Sequence, residues 1–184
     1  MDQTSKNFLV TGSPGCGKTT VLLATKKELE SHGFNAGGCL TAEIRERGRR
    51  IGFSICDLAS GDEGILAQIA LPSKERVGRY GIHIADLERI GVGALKKSLS
   101  SNVDFVVIDE IGPMELFSLG FQDIVRELLT SPKIVLGSIH YRSQHKFLRE
   151  IRGRTDTEII EISRETRDSV CPSLTTKVLR LLAP

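Results

Sequence analysis

The residues that decide the fold are Gly12-Ser13-Pro14-Gly15-Cys16-Gly17-Lys18-Thr19-Thr20. Positions 12–19 match the pattern G-x-x-x-x-G-K-[ST] in full, and they lie between a short apolar run at 8–10 and an apolar helical segment. A glycine-rich turn in this context lets backbone N–H groups close around a polyphosphate. The stretch therefore predicts a phosphate-binding P-loop between the first strand and the first helix.

All residues from 12 to 20 are predicted to bind nucleotide, and two of them have a specific role. Lys18 is expected to reach the β- and γ-phosphates as a catalytic residue, and Thr19 is expected to hold Mg²⁺ through its hydroxyl group. The helix that begins here points the positive end of its dipole at the anion. The predicted partners are therefore nucleoside triphosphates, with Mg²⁺ as the cofactor.

A second chemical feature is the segment 106–110, an apolar strand that ends in two carboxylates. Asp109 is predicted to hold the Mg²⁺, and Glu110 is predicted to act as the general base that polarises the attacking water. An Asp-Glu pair also occurs at solvated strand ends, but a full P-loop in the same chain favours the catalytic interpretation. The residues predicted to form this side of the nucleotide site are Val106, Val107, Ile108, Asp109, Glu110, Ile111 and Gly112.

Composition limits the range of functions. The 184 residues suit a single domain, residues 1–184, and a formal charge of +2 gives no strong signal for nucleic-acid binding. Four cysteines without zinc-site spacing favour reduced thiols in a cytoplasmic protein. The polar N-terminus does not resemble a signal peptide, and no apolar run approaches the roughly 18 residues of a membrane span. We therefore expect a soluble protein, with a monomer slightly favoured over an oligomer.

Strand and helix patterns alternate along the chain. The predicted strands cover residues 7–11, 34–42, 51–58, 103–109, 133–139 and 157–162. The predicted helices cover residues 18–32, 85–100, 119–130, 143–152 and 166–182. This alternation predicts a three-layer α/β fold with a mostly parallel central sheet and helices on both faces. Residues 43–82 are less regular, and we expect a hairpin and loops there within the same domain.

A charged turn at 43–50 contains four arginines. In a P-loop sheet, ligands bind beyond the carboxyl ends of the strands, so an arginine from this turn can stabilise charge that develops on the γ-phosphate. Arg45 is the first choice for this catalytic role and Arg49 the second. The alternative is a solvated hairpin tip whose arginines pair with glutamates. Ser138 and His140, which follow another apolar strand, are further candidates to sense the γ-phosphate, although a histidine there is more often structural.

Several segments together resemble one known family. They are the P-loop, residues 41–45, 48–53 and 77–80, and Ile108-Asp109-Glu110-Ile111-Gly112-Pro113-Met114-Glu115. The last segment is the most specific of them, because many families share the P-loop alone. The sequence resembles the thermophilic nucleoside-triphosphate phosphatase family, whose vertebrate relatives are known as cancer-related nucleoside-triphosphatases, and the resemblance covers nearly the whole chain.

The resemblance implies a RecA-like P-loop domain that hydrolyses ATP, GTP, CTP and UTP with low base selectivity in the presence of Mg²⁺. It also implies that Arg167 contacts nucleotide, although the family's Asn-Arg pair is Thr166-Arg167 here. Low selectivity agrees with the sequence itself, since the chain has no N-K-x-D element of the kind that reads guanine.

Two other functions remain open from the sequence. A nucleoside, nucleotide or polynucleotide kinase also combines a P-loop with an acidic residue near the second strand, and Glu43 would then activate an acceptor hydroxyl. A regulatory or RNA-associated module would use the arginine-rich turn for binding. Glu110 counts against the kinase, because it is better explained by activation of water. The near-neutral charge and the absence of an aromatic stripe count against RNA binding.

Overall fold

The apolar runs of the sequence become strands of one sheet in the computed structural model, which describes residues 5–100 and 102–183. The strands are β1 (Asn7–Thr11), β2 (Ala36–Glu46), β3 (Arg49–Asp57), β4 (Glu63–Gln68), β5 (Arg76–Val77), β6 (Tyr80–Ile82), β7 (Phe105–Ile111), β8 (Ile134–Ile139) and β9 (Thr157–Glu161). The helices are α1 (Lys18–Ser31), α2 (Ile84–Asp86), α3 (Gly93–Ser100), α4 (Leu119–Thr130), α5 (Lys146–Arg152) and α6 (Arg167–Leu182). Across the described residues the strand order is β5-β6-β4-β3-β2-β7-β8-β1-β9.

Five neighbouring strands form the parallel part of the sheet. β2 pairs with β7, β7 with β8, β8 with β1, and β1 with β9, each in the parallel orientation. The β7 side chains from Phe105 to Ile108 are fully buried, as expected for a central strand that is covered on both faces. Parallel strands have their carboxyl ends at one edge of the sheet, so the residues that follow β1, β8 and β7 lie side by side there.

Helices cover both faces of this parallel part. On one face, Ile108 of β7 shares a core with Phe121 of α4. On the other face, Val107 shares a second core with Leu22 of α1 and Val178 of α6. Successive residues of a strand point to opposite faces, so β7 contributes to both cores. The predicted three-layer α/β fold with helices on both sides of a largely parallel sheet is confirmed.

The segment 43–82 is more regular than predicted. Instead of one hairpin and loops, it continues the sheet through antiparallel pairs of β2 with β3, β3 with β4, β4 with β6 and β6 with β5. The β2–β3 hairpin turns at Arg47 and Gly48, whose φ angles are 47° and 78°. Ladder hydrogen bonds need only the backbone, so the charged residues at 43–50 do not end the strands.

Most other predicted elements form close to their expected bounds. β2 runs to Glu46 rather than to 42, since β3 pairs with its polar end. The predicted helix 143–152 begins only at Lys146, because His145 Nδ1 accepts the Phe147 N–H and caps α5 there. The predicted helix 85–100 forms as α2, a π-helical segment at Leu87–Val92 and α3.

None of the helices in the described residues has the length and apolar character that a membrane span requires.

Gly38 of β2 provides a test of how closely β2 packs on β7. Its φ is +114°, and a Cβ at this position would lie 1.9 Å from the carbonyl oxygen of Val107. We expect Gly38→Ala to lower the free energy of unfolding by more than about 4 kcal/mol, because the clash is with the backbone of a buried strand. Chemical denaturation followed by circular dichroism measures the loss.

Gly33→Ala is the matched control for this substitution. Gly33 also has a positive φ, +91°, but no atom lies within 4 Å of an added Cβ. Its loss should therefore be limited to the roughly 1–2 kcal/mol of an alanine in left-handed backbone. Equal losses in the two variants would contradict the proposed clash between β2 and β7.

Candidate active site

The P-loop joins the buried end of β1 to the start of α1. Gly12, Gly15 and Gly17 have φ angles of +151°, +74° and +107°, which only glycine adopts easily. Gly17 precedes Lys18, the first residue of α1, and makes no side-chain cap. The first N–H groups of α1 therefore have no side-chain cap and remain free for a ligand, and such helix ends are suited to binding anions.

Asp109 connects the P-loop to two neighbouring strands. The residue is 3% exposed. Thr19 Oγ1 at the start of α1 donates a hydrogen bond to Asp109 Oδ2 over 2.5 Å, and Ser138 Oγ near the end of β8 donates to Oδ1. Burial raises the pKa of Asp109, and the hydrogen bonds from Ser138 and Thr19 and the charge of Lys18 oppose this effect.

The oxygen atoms of the Asp109 carboxylate and the Thr19 hydroxyl group are suited to bind a small divalent cation. A carboxylate and a hydroxyl are hard oxygen donors of the kind that Mg²⁺ prefers, and the two groups are already in contact. Among the described residues, no group of three or more His, Cys, Asp or Glu side chains could hold a metal ion. A Mg²⁺ held by Thr19 and Asp109 would complete its shell with phosphate oxygens and water, which is its usual coordination in nucleotide sites.

Glu110 lies next to the Lys18 ammonium group. Lys18 Nζ is 4.0 Å from Glu110 Oε1 and donates to the Gly12 carbonyl oxygen over 3.4 Å. Burial raises the pKa of Glu110, with Lys18 opposing the shift and Asp109 adding to it. Glu115, which the sequence analysis used only as part of a motif, is buried; burial raises its pKa to about 8, and the charges of Glu110 and Asp109 add to the shift.

Other predicted site residues lie at different depths. Arg167, the first residue of α6, packs against the P-loop, where a Cβ on Gly17 would lie 2.8 Å from Arg167 Cδ. Ser13, Pro14, Gly15 and Thr20 are exposed, whereas the Cys16 side chain is buried. Gly112 adjoins the Glu110 and Glu115 side chains. The side chains of Val106, Val107, Ile108 and Ile111 are fully buried in the core, so they hold Asp109 and Glu110 in place rather than face the edge of the sheet.

Arg45 lies on the exposed β2–β3 hairpin and is already paired. Arg45 Nε donates to Glu43 Oε2 over 2.9 Å, and Arg45 Nη1 donates to the Gly48 carbonyl oxygen over 3.0 Å. Glu43 also accepts a 2.6 Å hydrogen bond from Arg50 Nη1. The hydrogen bond from Arg50, opposed by partial burial and assisted by that from Arg45, lowers the pKa of Glu43. Arg49, the second choice, is exposed on the same hairpin.

One residue that the sequence analysis missed supports the loop after β8. Arg152 at the end of α5 donates through Nη2 to the His140 carbonyl oxygen and through Nη1 to that of Ser143 over 3.3 Å. A basic residue in the last turn of a helix is common because it favours the helix dipole. The position of Arg152 in the sequence therefore does not indicate that it contacts this loop.

Comparisons with known proteins identify the family of this chain. A family model described as NTPase matches residues 7–175. The nucleoside-triphosphatase THEP1 of Thermofilum pendens is 44% identical over 180 residues, which cover 97% of this chain and 98% of that protein. The nucleoside-triphosphatase THEP1 of Methanosarcina acetivorans is 46% identical over 174 residues, 94% of this chain and 97% of that protein.

Solved structures give the same result for the fold. The crystal structure of THEP1 from Aquifex aeolicus superposes with a TM-score of 0.80 at 33% identity, covering 97% of this chain and 99% of that one. The solution structure of a human cancer-related nucleoside triphosphatase also superposes with a TM-score of 0.80, at 34% identity, and the match covers 96% of this chain and 98% of that one. The resemblance inferred from the sequence motifs is confirmed, and the chain belongs to the NTPase family, a family of nucleoside-triphosphate phosphatases that includes the THEP1 proteins.

Proposed function

We propose that this protein hydrolyses the γ-phosphate of nucleoside triphosphates, converting NTP and water to NDP and phosphate in a Mg²⁺-dependent reaction. The observation that supports this most is the meeting of Lys18, Thr19, Asp109 and Glu110 at the carboxyl edge of the parallel strands β1, β8 and β7. These groups are what a P-loop hydrolase needs to bind phosphates, to hold a metal ion and to activate water. The relatives named above carry the name nucleoside-triphosphatase.

The P-loop binds and orients the triphosphate in this proposal. The backbone N–H groups of residues 12–19 and the Lys18 ammonium group hold the phosphate oxygens. Bound Mg²⁺ would neutralise part of the phosphate charge, and Thr19 and Asp109 are the residues that would hold it. Binding of phosphate by Lys18 would replace its present contacts with Gly12 and Glu110, since one ammonium group has few donors to share.

Glu110 activates the attacking water in this proposal. Its carboxylate takes a proton from the water as the oxygen approaches the γ-phosphorus atom, and the proton later leaves with the inorganic phosphate. Burial raises the pKa of Glu110 and therefore makes its carboxylate a stronger base. Arg45 remains the proposed source of positive charge for the transition state. For that role it would have to exchange its present contacts with Glu43 and Gly48 for the phosphate.

Low base selectivity is part of the same proposal, with ATP, GTP, CTP and UTP as substrates. The groups described above all address phosphates, the metal ion or water, and none of them requires a particular base. Arg167, which packs against Gly17, is proposed as an additional nucleotide contact beside the P-loop.

The four cysteines within the described residues are free thiols, which supports a reducing compartment such as the cytoplasm.

The contacts of Glu43 weigh against the kinase alternative. An acceptor-activating carboxylate must be free to take a proton from a hydroxyl group. Glu43 instead accepts hydrogen bonds from Arg45 and Arg50, and its pKa is lowered, which makes it a weaker base. This arrangement matches the solvated hairpin tip that the sequence analysis kept as an alternative for the arginine-rich turn.

Lys18→Ala is expected to abolish both nucleotide binding and turnover, because the phosphate site loses its positive charge. Binding is measured with a fluorescent ATP analogue and turnover by phosphate release. Lys27→Ala is the matched control, since Lys27 is exposed on the same helix. Parental turnover in the Lys18 variant would contradict its role.

Glu110→Gln is expected to bind nucleotide normally but to hydrolyse it more slowly by a factor of about 10² or more, the usual effect of losing a general base. The two rates are compared by single-turnover phosphate release with saturating Mg²⁺ and ATP. Glu127→Gln, at an exposed position on α4, provides the control for the same chemical change. Hydrolysis by the Glu110 variant at the parental rate would show that another group activates water.

The purified protein should release phosphate at similar rates from ATP, GTP, CTP and UTP with Mg²⁺ and without an acceptor. The assay is then repeated with nucleosides, nucleoside monophosphates and RNA added. Acceptors should leave the rates unchanged, because water is the proposed nucleophile. Negligible release that appears only as transfer to an added acceptor would favour a kinase instead.

A further inference from the structure

His140 lies between the two halves of the proposed active site. It directly follows β8, and β8 separates the P-loop strand β1 from β7, which carries Asp109 and Glu110. The His140 N–H donates to the Ile111 carbonyl oxygen over 3.1 Å. On the other side, Thr11 Oγ1 donates to the Ile139 carbonyl oxygen over 2.9 Å. The backbone at His140 is therefore attached to both neighbouring strands at the edge where the phosphates are proposed to bind.

Hydrogen bonds from the backbone fix the tautomer of the His140 ring. Nδ1 accepts N–H groups from Arg142 over 3.3 Å and from Ser143 over 3.1 Å. A ring nitrogen that accepts N–H bonds carries no proton, so the proton of the neutral ring is on Nε2. Arg152 holds the same loop through the His140 and Ser143 carbonyl oxygens. The ring is thus oriented before any ligand binds, with Nε2 as its donor.

The Nε2 donor is available for a ligand. Within the part of the chain that the structure describes, Nε2 has no hydrogen-bond partner, and His140 is half-buried. Burial lowers the pKa of His140, and the charges of Lys18 and Arg152 lower it further, so the ring is neutral near pH 7. The strand β8 that ends just before His140 lies beside β1, and β1 leads into the P-loop that carries Lys18.

We propose that His140 recognises the γ-phosphate by donating a hydrogen bond from Nε2 to one of its oxygens. Such a contact exists only with a triphosphate, so it would let the site distinguish NTP from NDP and favour release of the product. The proposal rests on the proposed function only in using the same phosphate site. It assigns to the histidine a binding contact rather than a proton transfer.

Two substitutions of His140 test the roles of its two ring nitrogens separately. In His140→Asn, the side-chain oxygen can take the place of Nδ1 and accept the loop N–H groups, but no donor remains at the Nε2 position. In His140→Gln, the amide nitrogen can take the place of Nε2, while the acceptor at Nδ1 is lost. His145→Asn is the matched control, because His145 Nδ1 also accepts a backbone N–H, from Phe147, at the start of α5.

The experiment measures the dissociation constants of Mg²⁺-AMPPNP and Mg²⁺-ADP by calorimetry for each protein. His140→Asn should weaken AMPPNP binding by roughly tenfold to a hundredfold, the usual effect of losing one hydrogen bond to a charged group, and should leave ADP binding unchanged. His140→Gln and His145→Asn should keep the parental ratio of the two constants. A parental ratio in His140→Asn would overturn the proposal, and so would an equal change in the His145 control.

These measurements are independent of turnover. A parental protein that binds AMPPNP and ADP but does not hydrolyse ATP would contradict the proposed function, while the ratio of the two constants would still test His140. If His140→Asn and His140→Gln change the ratio equally and both lower the thermal stability, the residue acts by supporting the loop. That outcome would also overturn the proposed contact.

Discussion

The buried carboxylate of Asp109 is the constraint on which the active-site edge depends. Burying a charged carboxylate away from water costs free energy unless hydrogen bonds replace the lost hydration. Here the compensation comes from Thr19 on α1 and Ser138 on β8, so one side chain joins three elements that are distant in sequence. The parallel pairing of β1, β8 and β7 brings these elements together, and the position of Glu110 next to Lys18 follows from it.

Features that depend on neighbouring residues could be predicted from the sequence. The P-loop needs glycines at fixed spacing between a strand and a helix, and its backbone has the positive φ angles that this pattern implies. The helix 119–130 forms with the predicted bounds, because Ser118 caps its first turn and apolar residues recur along one side. The placement of Asp109 beside Thr19 was also predictable, since Asp109 lies near the carboxyl end of β7 and Thr19 follows β1, a parallel strand of the same sheet.

Features that depend on distant partners could not be predicted. Pairing with β3 holds the charged end of β2 in a strand, although its composition is typical of a turn. The preference for Arg45 was based on its position in the sequence, whereas its contacts are set by Glu43 and the hairpin turn. The orientation of His140 depends on two backbone N–H groups and on Arg152, and no local pattern encodes these contacts.

The place of β1 in the sheet has a consequence for how the chain matures during synthesis. β1 leaves the ribosome well before its two neighbours in the sheet, β8 and β9, have been made. Pairings between distant parts of a chain form slowly, and a strand without its partners exposes apolar surface. While the chain is being made, β1 and the loop that follows it therefore lack both neighbouring strands until β8 emerges, and this is the interval in which a chaperone would protect the exposed apolar surface most.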